Sequence, residues 1–541
     1  MTMKEVGTAL YAVSEYAEFS SLLALSKAVR SDLGLHPVFL FKHDYGALAA
    51  HTKQLDALQF SWISAKSASL HTNYSATGHT DDYFPTYAPA HTSHGTRSGH
   101  SRTAALLTGM ATVVGIAAAP VILFAAIAAL ISRRFNIHPM RSMAKRLGKM
   151  HPALVQRRYM MILDEVRKAF DIFFPSIVIS GQDYSLSITA IASLVAEERG
   201  VRTAIVPFSM TPTTKELAES LSGNRNHMLR GRLRSKLIRK AFPQWVNHYH
   251  GRDYIRLSLP ELLAAEELKL AAPVPWLPNS GRATLLLPGD QSFEYCARAG
   301  IPREQLRVTG AQWSDSLWNS IQSNASRRTE LIEDVDLHTA AYRTKNRLPP
   351  VKFEEQAKIL LISWPPDQSP RSPTGLNSFE ELSSALAEML SRIHYSGIAR
   401  VVVSLHPTLI GRKLHADLKE QGVYVLDQDL VEVLGCVDIF SATVSSTLLW
   451  SLQLEIPSVN FDIYRYGYRE FADAGIVDAA SVPELRRVLL SLIKQPQRYE
   501  EVKKALRQNR RYWGMFDGGC TKRILNELKS LARHDKLEQG D

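Results

Sequence analysis

The sequence predicts an α/β protein with two doubly wound parallel sheets in tandem and an apolar, membrane-associating helical insertion within the first. Three observations predict it. A strand–helix–strand rhythm opens the chain, breaks off near residue 65 and resumes near residue 155. A second such rhythm starts near residue 351. The interruption contains residues 103–132, "TAALLTGMATVVGIAAAPVILFAAIAALIS", thirty residues without one charge. Parallel strands need crossover connections, which helices supply, so alternating strands and helices read as doubly wound sheets.

In chain order, "GTALYAV" (7–13) is a short apolar strand, and "EFSSLLALSKAVRSDLG" an amphipathic helix stopped at Gly34. "HPVFLF" (36–41) is the next strand. Residues 65–102 are rich in Ser, Thr, His and Gly and lack periodicity, which predicts a flexible polar loop. Its five histidines are irregularly spaced, with no acidic residues placed to complete a metal cage. After the apolar stretch come Arg133, Arg134, Arg141, Lys145, Arg146 and Lys149. A helix, "LVQRRYMMILDEVRKAFDIF", then leads to the strand "SIVISGQD" (176–183), the helix "SLSITAIASLVAEERG" and the strand "RTAIVPFSM". "RATLLL" (282–287) and "LRVTG" (306–310) add short strands.

The second series runs "AKILLISWPP" (strand), "SFEELSSALAEMLSRIHYSG" (helix), "ARVVVSLHP" (strand), "GVYVLD" and "VDIFSA" (strands). "SSTLLWSLQLE" (helix), "PSVNFD" (strand) and "SVPELRRVLLSLIKQ" (helix) complete it. The expected division is 1–64 and 133–320 for the N-terminal domain, with the loop 65–102 and the membrane segment 103–132 inserted. A linker at 321–350, a C-terminal domain at 351–495 and helices at 496–541 that cross back complete the division.

Composition narrows the function. The 541 residues are 45% apolar and 22% charged, as in globular proteins. An excess of 64 basic over 53 acidic residues gives +11, which suits an anionic partner: phosphates, acidic lipid or nucleic acid. There is no zinc-finger spacing and no aromatic–basic RNA-binding pattern, so no nucleic-acid partner is expected. Cys296, Cys436 and Cys520 have no CxxC spacing, so neither a disulfide framework nor a zinc site is expected, and a reducing cytoplasm fits. The N-terminus, "MTMKEVGTALYAVSEYAEF", lacks the pattern of a signal peptide.

Four segments, in order, carry a family resemblance. They are "FPSIVISGQDYSLSITAIASLVAEERGVRTAIVPFSM", "PREQLRVTGAQWSDSL" (302–317), "VVVSLHP" (401–407) and "VDIFSATVSSTLLWSLQLEIPSVNFD" (437–462). Together they resemble GT-B enzymes built of two Rossmann-like domains. The branch is that of bacterial capsule and surface-polysaccharide transferases, CDP-glycerol glycerophosphotransferases and non-hydrolysing UDP-N-acetylglucosamine 2-epimerases. The resemblance covers most of residues 1–60 and 155–500. It implies a nucleotide-sugar donor held as co-substrate by the C-terminal domain, with no cofactor and no essential metal.

Ligands of open α/β sheets bind beyond the carboxyl ends of the strands. Ser441, Thr443, Ser445, Ser446 and Thr447 lie there, where a helix starts and its unpaired N–H groups suit a diphosphate. The alternative is that Ser445 and Ser446 only cap the helix. His406, with the turn fixed by Pro407, follows a buried-looking strand; it either donates to a phosphate or leaving nucleotide, or merely bonds backbone. Asp183 in "SGQDYS" is the candidate general base for an acceptor hydroxyl, or an N-cap; the resemblance favours the base. Glu15 and Glu18 are rival bases, and Asp315 is expected to order the chain. In the serine-led helix, relatives often carry an acidic residue where this chain has Trp450, which leaves room for a changed or lost activity. The basic stretch at 225–240 reads as a solvated helix face or a contact for acidic lipid.

As one helix, 103–132 extends roughly 45 Å, more than the roughly 30 Å of hydrocarbon requires. A single span would separate two parts of one sheet. Gly115 and Pro120 permit a hairpin instead, and Arg97 and Arg102 put basic residues on the other flank as well. The expected function is a membrane-associated glycosyltransferase on the cytoplasmic side of an inner membrane. It would transfer sugar from a nucleotide-sugar donor to a lipid-linked or polysaccharide acceptor, among membrane lipids. Glycerophosphate transfer, 2-epimerisation, and a non-catalytic assembly partner on a degenerate scaffold are the alternatives.

Overall fold

The computed structural model describes residues 7–14, 16–42, 48–65, 152–209, 227–229, 232–249, 251–277, 281–321, 324–367, 376–405, 409, 413–468 and 470–533. The apolar segment 103–132, the loop before it, Glu15, His406 and Pro407 lie outside them. Among the described residues, no helix is long and apolar enough to cross a membrane. The chain forms two compact units: 1–287 with 293–307 and 524–541, and 288–292 with 308–523.

The first unit is built on a seven-stranded sheet. Its strands are β1 (Thr8–Val13), β2 (His36–Lys42), β3 (Ser61–Ala65), β4 (Pro175–Ser180), β5 (Arg202–Ile205), β8 (Ala283–Leu287) and β9 (Leu306–Val308), in the order β3-β2-β1-β4-β5-β8-β9. Every pairing from β3 to β8 is parallel. Side chains of β1 alternate between two cores, as a strand buried on both faces must do. Ala9, Tyr11 and Val13 meet Phe19, Leu22 and Leu25 of the helix Tyr16–Leu33. Leu10 and Ala12 face Ile162, Val166 and Phe170 of the helix Pro152–Phe173, together with the helix Ile188–Glu198. The helix Tyr16–Leu33 stops at Gly34, whose φ of +68° is a left-handed turn that glycine adopts without strain. β6 (Val246–Tyr249) and β7 (Arg252–Ile255) form a separate antiparallel hairpin.

The chain returns to this unit at its end. Ile524, Leu525 and Leu528 of the helix Cys520–Arg533 join the core that holds Phe19 and Phe39.

The second unit carries six parallel strands: β10 (Lys358–Ser363), β11 (Ala399–Ser404), β12 (Tyr424–Val425), β13 (Ile439–Ala442), β14 (Ser458–Phe461) and β15 (Val477–Ala479). Their order is β12-β11-β10-β13-β14-β15. Residues 321–350, expected as a linker, instead contain the helix Asn324–Lys345, which belongs to this unit. It buries only Leu331, Val335 and Thr339, one residue per turn, so its sequence reads as charged and solvated.

That helix is tied to its neighbours through a buried imidazole. His394 is 4% exposed. Its Nδ1 accepts the Val401 N–H at 3.1 Å, so the ring proton sits on Nε2, 2.9 Å from Thr339 Oγ1. The Thr339 hydroxyl donates onward to Val335 O at 2.6 Å. Burial above all, helped by His338, pushes the imidazole down to about 4 from 6.5. The folded state thus disfavours the charged form. Stability is full above pH 6.5 and falls as the pH drops towards 4. At 1.36 kcal/mol per pH unit the loss is about 3 kcal/mol. Urea unfolding of the second unit at pH 7 and pH 4.5 should show it, and His394→Asn should remove most of the slope.

Candidate functional site

Each sheet has one place where neighbouring strands lead away in opposite directions, and there the carboxyl-end loops part to leave a crevice. In the first sheet this point lies between β1 and β4, and in the second between β10 and β13.

At the first switch point a carboxylate closes the gap. Glu18 is wholly buried, and Oε2 accepts the Ser14 N–H at 2.8 Å and the Ser14 hydroxyl at 2.9 Å. Oε1 accepts the Gly181 N–H at 2.7 Å. It joins the loop after β1 to the loop after β4. Gly181 is required by this approach: a Cβ there would stand 2.6 Å from Phe208 and 3.0 Å from Glu18 Cγ. Asp183 follows in the same loop, also wholly buried, with Oδ2 accepting the Ser193 hydroxyl at 3.0 Å. It does not cap the helix Ile188–Glu198; Ser187 does, accepting the Ala190 N–H at 3.1 Å. The Ser180 hydroxyl, fully buried at the end of β4, has no hydrogen-bond partner among the described residues.

At the second switch point the residues singled out from the sequence come together. Ile362 of β10 lies opposite Ser441 of β13, so the next residues along the same face are Trp364 and Thr443. Ser441 (1% exposed), Thr443 (9%) and Trp364 (1%) are all buried. Ser441 Oγ, Thr443 Oγ1 and Trp364 Nε1 find no hydrogen-bond partner among the described residues. A buried hydroxyl left unpaired costs about 1–3 kcal/mol, so each such group calls for an explanation.

The turn after Thr443 is strained. Val444 has φ +40°, a left-handed conformation that a β-branched residue rarely adopts. Such conformations cost about 1–3 kcal/mol and cluster at functional sites. Ser446 occupies the cap position of the helix Thr447–Gln453 but makes no side-chain cap hydrogen bond. Ser445 Oγ accepts the Thr447 N–H at 3.3 Å and its hydroxyl at 2.9 Å. Thus Ser445 braces the turn and Ser446 is left for other work. The helix has only seven residues, so its dipole adds less than the hydroxyls do.

The third loop here follows β14. Asp462 accepts the N–H groups of Tyr466 and Gly467 at 2.8 and 2.6 Å, shaping the loop. Tyr464 donates its hydroxyl to Pro366 O at 2.6 Å, tying this loop to the one after β10. Arg465 in the same loop is exposed and forms no ion pair among the described residues. Trp450 packs on Trp313, ring centroids 5.9 Å apart, and its Nε1 has no partner among the described residues.

Asp315 accepts the N–H groups of Cys520 and Thr521 at 3.0 and 2.6 Å, at the first turn of the last helix. With Asp517 and Cys520 it forms a group with metal-ligand spacing. Arg523 fills that group, donating to both Asp517 oxygens at 2.9 Å. Arg523 also donates to Cys520 Sγ at 3.2 Å, so an ion pair occupies the cluster, and burial pushes the Cys520 thiol up to about 12.

Ser180, Trp364 and Asn460 were not singled out from the sequence. The readable signal for the first two is a polar or indole residue ending an apolar run, as in "SIVIS" and "ILLISW".

Several solved structures are similar to the chain. UDP-GlcNAc 2-epimerase from Neisseria meningitidis, bound to UDP-GlcNAc, is 12% identical over 97% of this chain and 100% of its own, with a TM-score of 0.47. A glycosyltransferase from Rickettsia africae is 10% identical over 98% and 99%, with a TM-score of 0.40. The wall teichoic acid polymerase TagF is 13% identical over 100% and 92%, with a TM-score of 0.46. No protein-family model and no curated protein matches the chain. The two doubly wound sheets of the chain itself establish its fold.

Proposed function

We propose that the chain is a nucleotide-sugar-dependent transferase of the GT-B type, working at a membrane on a surface-polysaccharide or lipid-linked acceptor. The observation that carries the reading is the trio of buried, unpartnered polar groups at the second switch point: Ser441 Oγ, Thr443 Oγ1 and Trp364 Nε1. Two hydroxyls and an indole N–H are donors without acceptors, and phosphate oxygens are acceptors in excess. Ser446 and the exposed Arg465 supply a further hydroxyl and a positive charge on the neighbouring loops. His406 and Pro407 keep their proposed part in holding the leaving nucleotide on sequence grounds. On the first sheet, Asp183 is the proposed base that takes the acceptor proton, with the Ser193 hydroxyl fixing one oxygen. Glu15 and Glu18 are its rivals, although both Glu18 oxygens are already engaged by the two loops.

Turnover of UDP-, CDP-, GDP- and CMP-linked donors by the detergent-purified protein tests the reading. Transfer that survives Ser441→Ala with Thr443→Val would remove its basis. Asp183→Asn should lower the transfer rate by about 100-fold or more while leaving donor affinity within a few-fold.

A second reading, a non-catalytic assembly partner, is favoured by Trp450. Its indole packs at a tilt against Trp313, at a position where relatives often have a carboxylate. Tight donor binding without turnover, unchanged by Asp183→Ala, would support it.

The membrane part has support from pairing. Leu10 and Tyr11 of β1 lie opposite Val178 and Ile179 of β4 in one hydrogen-bonded sheet. Both flanks of residues 66–151 therefore belong to one sheet, which supports the hairpin expected for 103–132 over a single span. In sealed inner-membrane vesicles with the cytoplasmic face out, protease should cleave both flanks; protection of one flank alone would refute it.

A further inference from the structure

We infer that Asn460 is a positioning residue for the ligand's phosphates, acting through the backbone of Val444. The inference rests on the reading of residues 441–447 as the phosphate site. Asn460 is wholly buried in β14, in register with Ala442 of β13 on one side and Asp478 of β15 on the other. Its Oδ1 accepts the Val444 N–H at 3.0 Å, and its Nδ2 donates to Asp478 Oδ1 at 2.9 Å. The amide orientation follows from its partners: a backbone N–H only donates and a carboxylate accepts. Asp478 thereby holds the amide oxygen towards Val444.

That bond bears on the strained point of the turn. Val444 keeps φ +40° in a β-branched residue, and such a conformation persists only where the surroundings over-determine it. The Asn460 acceptor is one such determinant. On either side of Val444 stand Thr443, with its unpartnered buried hydroxyl, and Ser445 with Ser446. Relaxation of Val444 to an ordinary conformation rotates those hydroxyls relative to one another. Loss of the relay therefore alters the phosphate contacts before it alters the rest of the unit.

The exchange Asn460→Asp with Asp478→Asn makes the inference testable beyond a simple loss of fold. It preserves a buried acceptor for Val444 N–H and a donor–acceptor pair across β14 and β15, with the charge moved by one strand. Calorimetric titration of the full chain in detergent with UDP and CDP, and competition with uridine and cytidine, gives the readout. Asn460→Ala should weaken diphosphate binding by about 10-fold or more and leave nucleoside binding within about 2-fold. The paired exchange should keep nucleoside binding within about 2-fold of the parent, while the carboxylate it moves beside the phosphates keeps diphosphate binding weak. Unchanged diphosphate binding in Asn460→Ala overturns the inference, as does an equal loss for nucleoside and diphosphate or a paired exchange that binds diphosphate as tightly as the parent. If the parent protein binds no nucleoside diphosphate, the reading of the site falls and the inference with it.

Discussion

Ser441→Ala and Thr443→Val should each make the ligand-free protein more stable and its donor binding weaker. Ordinary core substitutions move in the other direction, because they remove packing. Here each parent hydroxyl is buried with no partner among the described residues, a condition that costs about 1–3 kcal/mol. Ser441→Ala deletes the hydroxyl, and Thr443→Val replaces it with a methyl of similar size. The second unit should melt a few degrees higher, since about 1 kcal/mol moves a unit of this size by roughly 2–4 °C. A hydrogen bond to a charged phosphate oxygen contributes about 1.5–3 kcal/mol, so each variant should lose roughly 10- to 100-fold in donor affinity. Thermal melts with and without UDP or CDP measure both effects. A lower melting temperature with unchanged affinity would mean that both hydroxyls serve packing alone.

Glu18→Ala should strongly destabilise the first unit. It leaves the N–H groups of Ser14 and Gly181 and the Ser14 hydroxyl without this acceptor, at the point where the loops after β1 and β4 meet. Two of the lost bonds are charge-assisted backbone contacts in a buried site, so a loss of about 3 kcal/mol or more in unfolding free energy follows. Glu18→Gln keeps one acceptor oxygen but turns an NH₂ towards the other donor, and should fall between. Gly181→Ala should resemble Glu18→Ala, because its Cβ meets Phe208 and Glu18 at 2.6 and 3.0 Å. Urea titration of the three variants settles the order. A Glu18→Ala protein of parental stability that had lost turnover would assign Glu18 to the chemistry instead.

How legible this molecule is from its sequence depends on how local each signal is. The inner strands β1, β2, β4, β10, β11 and β13 are short apolar runs, and an apolar run between helices has few other readings. β3 ("SWISA") sits at a sheet edge, with Trp62 38% exposed, so its pattern is too mixed to read. β15 spans three residues. The hairpin of β6 and β7 threads polar residues through "VNHYHGRDYI" around Gly251 and reads as loop. The helix Asn324–Lys345 hides because its buried stripe is one residue per turn.

The site shows the same division. Ser441 and Thr443 were legible because they end a strand and precede a helix. That they lie at the end of β13 next to β10 depends on a pairing across about eighty residues of chain. Asn460 was beyond sequence reasoning. Its two partners lie 16 residues before it and 18 after it, joined only by strand register.

The central claim is that the carboxyl end of the second sheet holds the donor's phosphates. Amide hydrogen exchange of the full protein with and without UDP or CDP tests it most directly. The account predicts slowed exchange in peptides spanning 363–367, 441–447 and 462–467, the three loops that Tyr464, Asn460 and the β10–β13 pairing join. Saturating nucleotide with no slowing in those peptides, or with protection confined to other parts of the chain, would contradict it.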